Sequence, residues 1–268
     1  MTDETPQELT PLDQAHAAME ARPEEDAARL RFYERLADAE LFLMLTEEAV
    51  GEQISPAMFE TPEGSFVLVF DREERLAQFA GQPVPYAALS GRVVAQMLAG
   101  QGIGLGVNLE VAPSSILIPA EAVGWLHQTL GHAPEELEGD VSEFTPPKGL
   151  PEALLTALDA KLATAGGLAA AAYLVGVRYA DGGMGHLLGF VGAREAAQPS
   201  LAKAAGEALT FSGIEAGAMD VAFFEADSPV AASLARVGLK FDLPQPEEPK
   251  IYQPEIPGSN PDKPPRLV

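Results

Sequence analysis

Short apolar runs separated by amphipathic segments are the feature that most constrains the fold of this 268-residue chain. Leu41–Leu45, Ser65–Phe70 and Ser115–Ile118 are too short for buried helices and are typical of buried strands. Between such runs, apolar residues recur at helical spacing, as in Glu24–Glu40. The pattern predicts strands and helices in alternation.

The same pattern starts again after His132–Gly149, a segment rich in proline, glycine and acidic residues that is typical of a linker. Ala171–Tyr179 and His186–Val191 flank the turn ADGGMG and predict a hairpin. A helix around Leu201–Leu209 and a strand over Asp220–Ala226 follow.

Helix boundaries are predicted from capping residues. Asp71 with Glu74 resembles a capping box, and Ser90 is placed to cap the next helix. For the last helix, Ser228 is the predicted cap, a proline fills the first position and Gly238 ends it.

We therefore predict an α/β (mixed α+β) fold with two small domains, each a mixed sheet flanked by helices. The predicted domains are residues 9–130 and 150–243, joined by a linker at 131–149. Eight of the last 25 residues are proline, so residues 244–268 are predicted to be an extended or disordered tail.

Four glycines occur within Gly100–Gly106, and they follow a predicted helix and precede a predicted strand. A dinucleotide-binding loop has the reverse order, with the phosphate at the start of the helix. We predict that these glycines end the helix and allow close backbone approach, without holding a phosphate. Asn108, polar within the apolar strand, is either a local hydrogen-bonding residue or a ligand contact.

The net charge of −23 argues against nucleic-acid binding and against anionic membranes, because such a chain repels phosphate groups over most of its surface. The acidic N-terminal segment has no apolar run typical of a signal peptide. The best candidate for a membrane span, the uncharged stretch between Lys161 and Arg178, is shorter than the roughly 20 residues that span a bilayer. We expect a soluble, cytoplasmic protein.

The chain offers no recognisable catalytic or metal-binding motif. It has no cysteine, which excludes disulfides, thiolate nucleophiles and cysteine-ligated metals. The four histidines lack the spacing of zinc ligands (His16, His127, His132 and His186). Neither a serine-hydrolase elbow nor a phosphate-binding loop occurs. We expect no cofactor, no metal and no enzymatic activity.

Exposed aromatic residues and the glycine turn form the candidate interaction surface. Aromatic residues are favoured interface anchors, although burial in the core is the alternative for both aromatics chosen here. The candidate residues are Tyr86, Gly102, Gly104, Gly106, Asn108 and Trp125.

The order and spacing of elements resembles the SseB family, named for the enhanced serine sensitivity protein. The resemblance runs from about Leu9 to Leu130 through FYERLADAELFLML, FVLVFDREERLAQFAG and GIGLGVNLE, and from about Pro147 to Leu243 through AAYLVGVRY and VAFFEADSPVAASLARVGLKF. It implies an N-terminal and a C-terminal SseB-type domain in a bacterial protein, and it brings no catalytic residues with it.

Two hypotheses for function follow. The first is a non-enzymatic interaction or regulatory module that binds a protein partner or self-associates. The second is a binder of a small, amino-acid-like metabolite, with its pocket at Gly100–Gly106 or between the two domains. An enzyme whose catalytic residues converge from distant positions is a third possibility.

Overall fold

The computed structural model describes residues 8–51, 53–62, 64–131, 141–214 and 219–244. They form an N-terminal half, residues 8–131, and a C-terminal half, residues 141–244. Each half contains one sheet with parallel and antiparallel strands together with several helices, which confirms the predicted mixed α/β class. Within the described ranges, no helix is long and apolar enough to cross a membrane.

The N-terminal half is built on a six-stranded sheet. Its strands are β1 (Glu40–Met44), β2 (Met58–Thr61), β3 (Gly64–Phe70), β4 (Tyr86–Ser90), β5 (Ile103–Val107) and β6 (Ile116–Ile118). Its helices are α1 (Pro11–Ala21), α2 (Asp26–Asp38), α3 (Glu73–Ala80), α4 (Gly91–Leu98) and α5 (Ala120–Gly131). The order is β4-β1-β3-β5-β6, with β2 also paired to β3, and only β3 and β5 are parallel.

The two faces of this sheet are covered unequally. Helices α1, α2, α4 and α5 pack on one face, where Phe32 and Val94 meet Leu43 and Val69 in the main core. Helix α3 packs on the other face over a smaller core that includes Leu68. Alternation of side chains along each strand divides its apolar residues between these two cores.

The C-terminal half contains a five-stranded sheet. Its strands are β7 (Val141–Thr145), β8 (Ala171–Tyr179), β9 (Met184–Val191), β10 (Asp220–Phe224) and β11 (Leu239–Phe241). Its helices are α6 (Glu152–Leu162), α7 (Gln198–Phe211) and α8 (Pro229–Val237), and a short 3-10 turn precedes α7. The order is β10-β9-β8-β11 with β7 also beside β8, and α6 and α7 pack on one face while α8 packs on the other.

Some predicted boundaries are confirmed and others are wrong. The β8–β9 hairpin forms, and the Ser228 hydroxyl accepts a hydrogen bond from the Ala231 amide at the start of α8. Asp71 does not cap α3, because Arg72 takes the cap position and the Asp71 carboxylate bonds to Arg75 instead. Ser90 precedes α4 as predicted, but its side chain makes no capping hydrogen bond.

The sequence patterns missed α1 and four strands, β2, β4, β7 and β11. Each missed strand is short and mixes polar with apolar residues, so it lacks the apolar run of a central strand. Strand β7 lies inside the segment predicted as linker and pairs with β8. Residues 132–140 of that segment, and 245–268 of the predicted tail, lie outside the described residues.

The halves meet through their helices. The Trp125 ring of α5 lies 5.2 Å from Tyr33 of α2 and 6.4 Å from Phe211 of α7, measured between ring centroids. Phe211 comes from the C-terminal half but belongs to the N-terminal core. The layers therefore run sheet, helices, helices, sheet.

The glycine segment connects α4 to β5 as predicted. Gly100 and Gly102 have φ of +75° and +71°, a left-handed conformation that favours glycine. Gly104 and Gly106 lie within β5, paired with β3 on one side and, at Gly106, with β6 on the other. A Cβ on Gly104 would lie 2.4 Å from the Ile118 carbonyl oxygen, so this strand requires close backbone approach.

We predict that Gly104→Ala lowers the free energy of unfolding by about 1–3 kcal/mol, because the added methyl group overpacks the space between β3 and β6. Gly124→Ala in α5 is the matched control, because nothing lies within 4 Å of its added Cβ. That substitution should raise the free energy by about 1 kcal/mol through helix propensity. Urea denaturation followed by circular dichroism measures both, and equal effects would contradict the packing argument.

Candidate functional site

The structure does not gather the six candidate surface residues into one surface. Register places Tyr86, Gly104 and Gly106 on the α3 face of the N-terminal sheet, with Gly102 in the turn before β5. Tyr86 is 38% exposed and packs edge-on against Phe42. Trp125 lies across the sheet, where it joins the two halves.

Asn108 is fully buried, so it is not part of any exposed surface. It has a positive φ of 48°, its side-chain oxygen accepts a hydrogen bond from the Asp71 amide, and its side-chain nitrogen donates to the Ser114 hydroxyl. Of the two interpretations of Asn108, the structure matches the local hydrogen-bonding residue. Its role is to link the ends of β3 and β5.

A cleft of about 940 Å³ lies between the two halves. Helix α2, the starts of α1, α3 and α4, and one face each of α6 and α7 surround it. Ligand pockets for small molecules have volumes of roughly 300–1,000 Å³ and are common at domain interfaces. This cleft is the candidate site.

Five of the 17 Lys and Arg residues of the chain line this one cleft: Arg35, Arg72, Arg92, Lys161 and Lys203. The lining also contains five carboxylates: Glu34, Asp38, Glu40, Asp71 and Glu207. Spacing along the helices explains part of this arrangement, because residues four apart share a helix face, as Glu34 and Asp38 do on α2.

An ion cluster at the bottom of the cleft joins the halves. The two terminal nitrogens of the Arg92 guanidinium, Nη1 and Nη2, donate to the Glu207 carboxylate at 3.1 and 3.2 Å. Nη2 also donates to Asp38 at 2.5 Å. The Lys161 ammonium donates to Asp38 at 2.6 Å and to Glu207 at 3.0 Å, and lies 3.8 Å from Glu34. Each of the two cations thus bridges carboxylates from both halves.

Two members of the cluster, Glu34 and Arg92, have shifted pKa values. Burial raises the pKa of the Glu34 carboxyl above its usual value, and the attraction of Lys161 opposes this effect only in part. For Arg92, burial alone would lower the pKa, but the hydrogen bonds to Glu207 and Asp38 raise it above the usual value. Arg92 therefore stays charged, and Glu34 is the group whose charge is least favoured.

A second, fully buried polar network supports the wall of the cleft at Thr10 and Asp71. Arg75 donates to both carboxylate oxygens of Asp13, at 3.1 and 2.5 Å, and to Asp71 at 2.7 Å. Ser114 donates to Asp13, and Thr10 donates to Asp71, both at 2.6 Å. The network ties the starts of α1 and α3 to the loop after β5.

The pKa of Asp13 is lowered from 3.8 to about 2. Burial by itself would raise the pKa of this carboxyl, but hydrogen bonds from Arg75, from Ser114 and from the Thr10 amide favour the charged form more strongly. Asp13 is therefore ionised at neutral pH.

Apart from Asp71, which was predicted as a helix cap, none of these charged residues was singled out from the sequence. They are spread from Thr10 to Glu207 and form no local motif. A partial signal existed in Thr10 and Asp13, which form a capping box at the start of α1. Among the described residues, no group of three His, Cys, Asp or Glu is arranged to hold a metal ion, and His132 lies outside those residues.

We predict that Asp13→Asn lowers the free energy of unfolding by about 3–5 kcal/mol at neutral pH, because it removes one partner of a buried ion pair. Asp26→Asn is the control: Asp26 pairs with Arg29 at an exposed site, and its loss should change stability by less than about 1 kcal/mol. Urea denaturation measures both variants.

The same variant should change the pH dependence of stability. Because the folded pKa of Asp13 is depressed, its contribution is complete above about pH 4 and is lost as the pH falls through about 2. The Asn variant should therefore lose less stability over that interval than the wild type. Parallel pH profiles for the two proteins would contradict the assignment.

Comparison with known proteins finds a similarity for one segment of the chain. No curated protein and no solved structure matches it. Residues 12–125 match the family model described as SseB protein N-terminal domain. The matched segment includes the α2 and α4 wall of the cleft, whereas the predicted C-terminal SseB-type domain stays a prediction. The similarity to the SseB N-terminal domain therefore covers most of the N-terminal half of this chain.

Proposed function

We propose that the protein is a non-enzymatic binding protein that holds a small charged molecule in the cleft between its halves. The observation that carries the proposal is the cleft itself, about 940 Å³ in volume and lined by charged side chains from both halves. A ligand there contacts both halves at once, so its binding is coupled to their relative position. Such coupling is what a regulatory protein needs.

The lining supports binding more than catalysis. Its described residues include no histidine, the side chain used most often in general acid–base catalysis. The carboxylates of Asp38 and Glu207 already accept hydrogen bonds from Arg92 and Lys161. A carboxylate held in this way is a weak general base.

A protein partner is the second candidate, and strand β4 favours it. β4 is an edge strand without a charged residue, and Tyr86 and Ala88 on it are exposed. An extended segment of another protein can add to such an edge by main-chain hydrogen bonds. The net charge of −23 disfavours a second copy of this chain as that partner, because the copies repel each other.

We predict that a thermal-shift screen of charged metabolites, amino acids included, finds compounds that stabilise the wild-type protein. A ligand at 100 times its Kd adds about 2.7 kcal/mol to the free energy of unfolding. Ala204→Trp should abolish the shift, because Ala204 lines the cleft and an indole there occupies it. Ala235→Trp, at an exposed position of α8, is the matched control and should retain the shift.

A flat response of the wild type across a broad panel would contradict the proposal. So would a shift that Ala204→Trp leaves unchanged, since the ligand would then bind elsewhere. Circular dichroism of both tryptophan variants checks that each is folded before the shifts are compared.

For the protein-partner candidate, we predict that the purified chain is monomeric at low salt, because self-repulsion opposes edge-to-edge pairing. Light scattering after size-exclusion chromatography, at increasing protein concentration, measures this. A dimer that Tyr86→Lys dissociates would instead assign the β4 edge to self-association.

A further inference from the structure

We infer that the ligand of the cleft is a small molecule with at least two negative charges, such as a phosphorylated or polycarboxylic metabolite. The inference rests on the proposed function and specifies its ligand. It follows from which charges in the lining are accessible and which are already neutralised.

Three cations in the lining have no carboxylate partner among the described residues. Within the described ranges, Arg35 and Lys203 form no ion pair, and the hydrogen bond of Arg72 goes to the backbone carbonyl of Glu8. All three side chains are partly exposed. They belong to α2, to the residue that precedes α3, and to α7, so they approach the cleft from different elements.

Three of the five carboxylates of the lining are buried against cations. The side chains of Glu34, Asp71 and Glu207 are only 4–5% exposed, and all three are held by buried or half-buried cations. Among the exposed carboxylates of the lining, Asp38 is shared by Arg92 and Lys161, and Glu40 has no ion pair with any described residue.

The unpaired charges of the lining therefore do not cancel. Three partly exposed cations without a carboxylate partner among the described residues face the cleft: Arg35, Arg72 and Lys203. Among those residues, Glu40 is the lining carboxylate without an ion pair. The unpaired excess of two positive charges matches a ligand with two negative charges.

The orientation of three helices also favours an anion in the cleft. The residues that precede α1, α3 and α4, namely Thr10, Arg72 and Ser90, all line the cleft. The amino-terminal end of a helix carries a partial positive charge and favours nearby anions. The helix ends add to the effect of the side-chain cations, which carry the inference.

The negative charge of the rest of the molecule reduces background binding of anions, so specific anion binding in the cleft can be measured. With a net charge of −23, most of the surface repels anions, so weak nonspecific anion binding is small. An anion that binds this protein at low ionic strength needs a local positive site, and among the described residues the cleft is where unpaired cations from several elements meet.

The test is isothermal titration of the full chain, at low ionic strength and neutral pH, with four probes: pyrophosphate, citrate, glycine and putrescine. We expect pyrophosphate or citrate to bind saturably, and glycine and putrescine to bind far more weakly. Arg35→Ala and Lys203→Ala should each weaken anion binding by about tenfold or more, because each removes a charge-assisted contact. Arg236→Ala, on exposed α8 away from the cleft, should leave it unchanged.

The outcomes separate this inference from the proposed function. In one outcome, the two anions do not bind, whereas glycine or putrescine binds to the wild type and not to Ala204→Trp. The inference is then wrong and the proposed function stands. If the anions bind equally to the Arg35, Lys203 and Arg236 variants, the inference is also wrong. If none of the four probes binds, the inference fails, and the metabolite screen alone decides the proposed function.

Discussion

The two halves depend on one shared ion cluster. Glu34 and Asp38 of α2 and Glu207 of α7 carry like charges that would repel each other if buried alone. Arg92 and Lys161 offset most of this repulsion, and each cation contacts carboxylates from both halves. Buried charges are tolerated only with such partners, so separating the halves would leave these groups in water or without an oppositely charged partner. The aromatic contact of Trp125 with Phe211 adds apolar burial beside the cluster.

The cleft lies where the ion cluster joins the halves. It is bounded by α2 and α4 on one side and by α6 and α7 on the other. The ion cluster that joins the halves therefore also lines the proposed binding site.

The sequence predicted elements with a strong local pattern. The β8–β9 hairpin and the Ser228 cap were predicted because an apolar run, a turn and a cap are each local signals. Strand β4 was missed because YAALS is short and follows two prolines, and its stability comes from pairing with β1. Helix α1 was missed although Thr10 and Asp13 form its capping box, because its apolar face is narrow. A pocket between the two domains was one of the two places considered, but the residues that line the cleft were missed, because partners such as Arg92 and Glu207 are 115 residues apart.

By itself, the sequence determined the mixed α/β class, the strand that follows the glycine turn and the strongly acidic character of the chain. These properties follow from local periodicity, from backbone freedom at glycine and from simple addition of charges. Only the tertiary structure decided that Asn108 is buried, that Trp125 joins the halves and that unpaired cations gather around one cleft. The physical reason is that pairing and burial of charges depend on which distant helices pack together, and no short stretch of sequence contains that information.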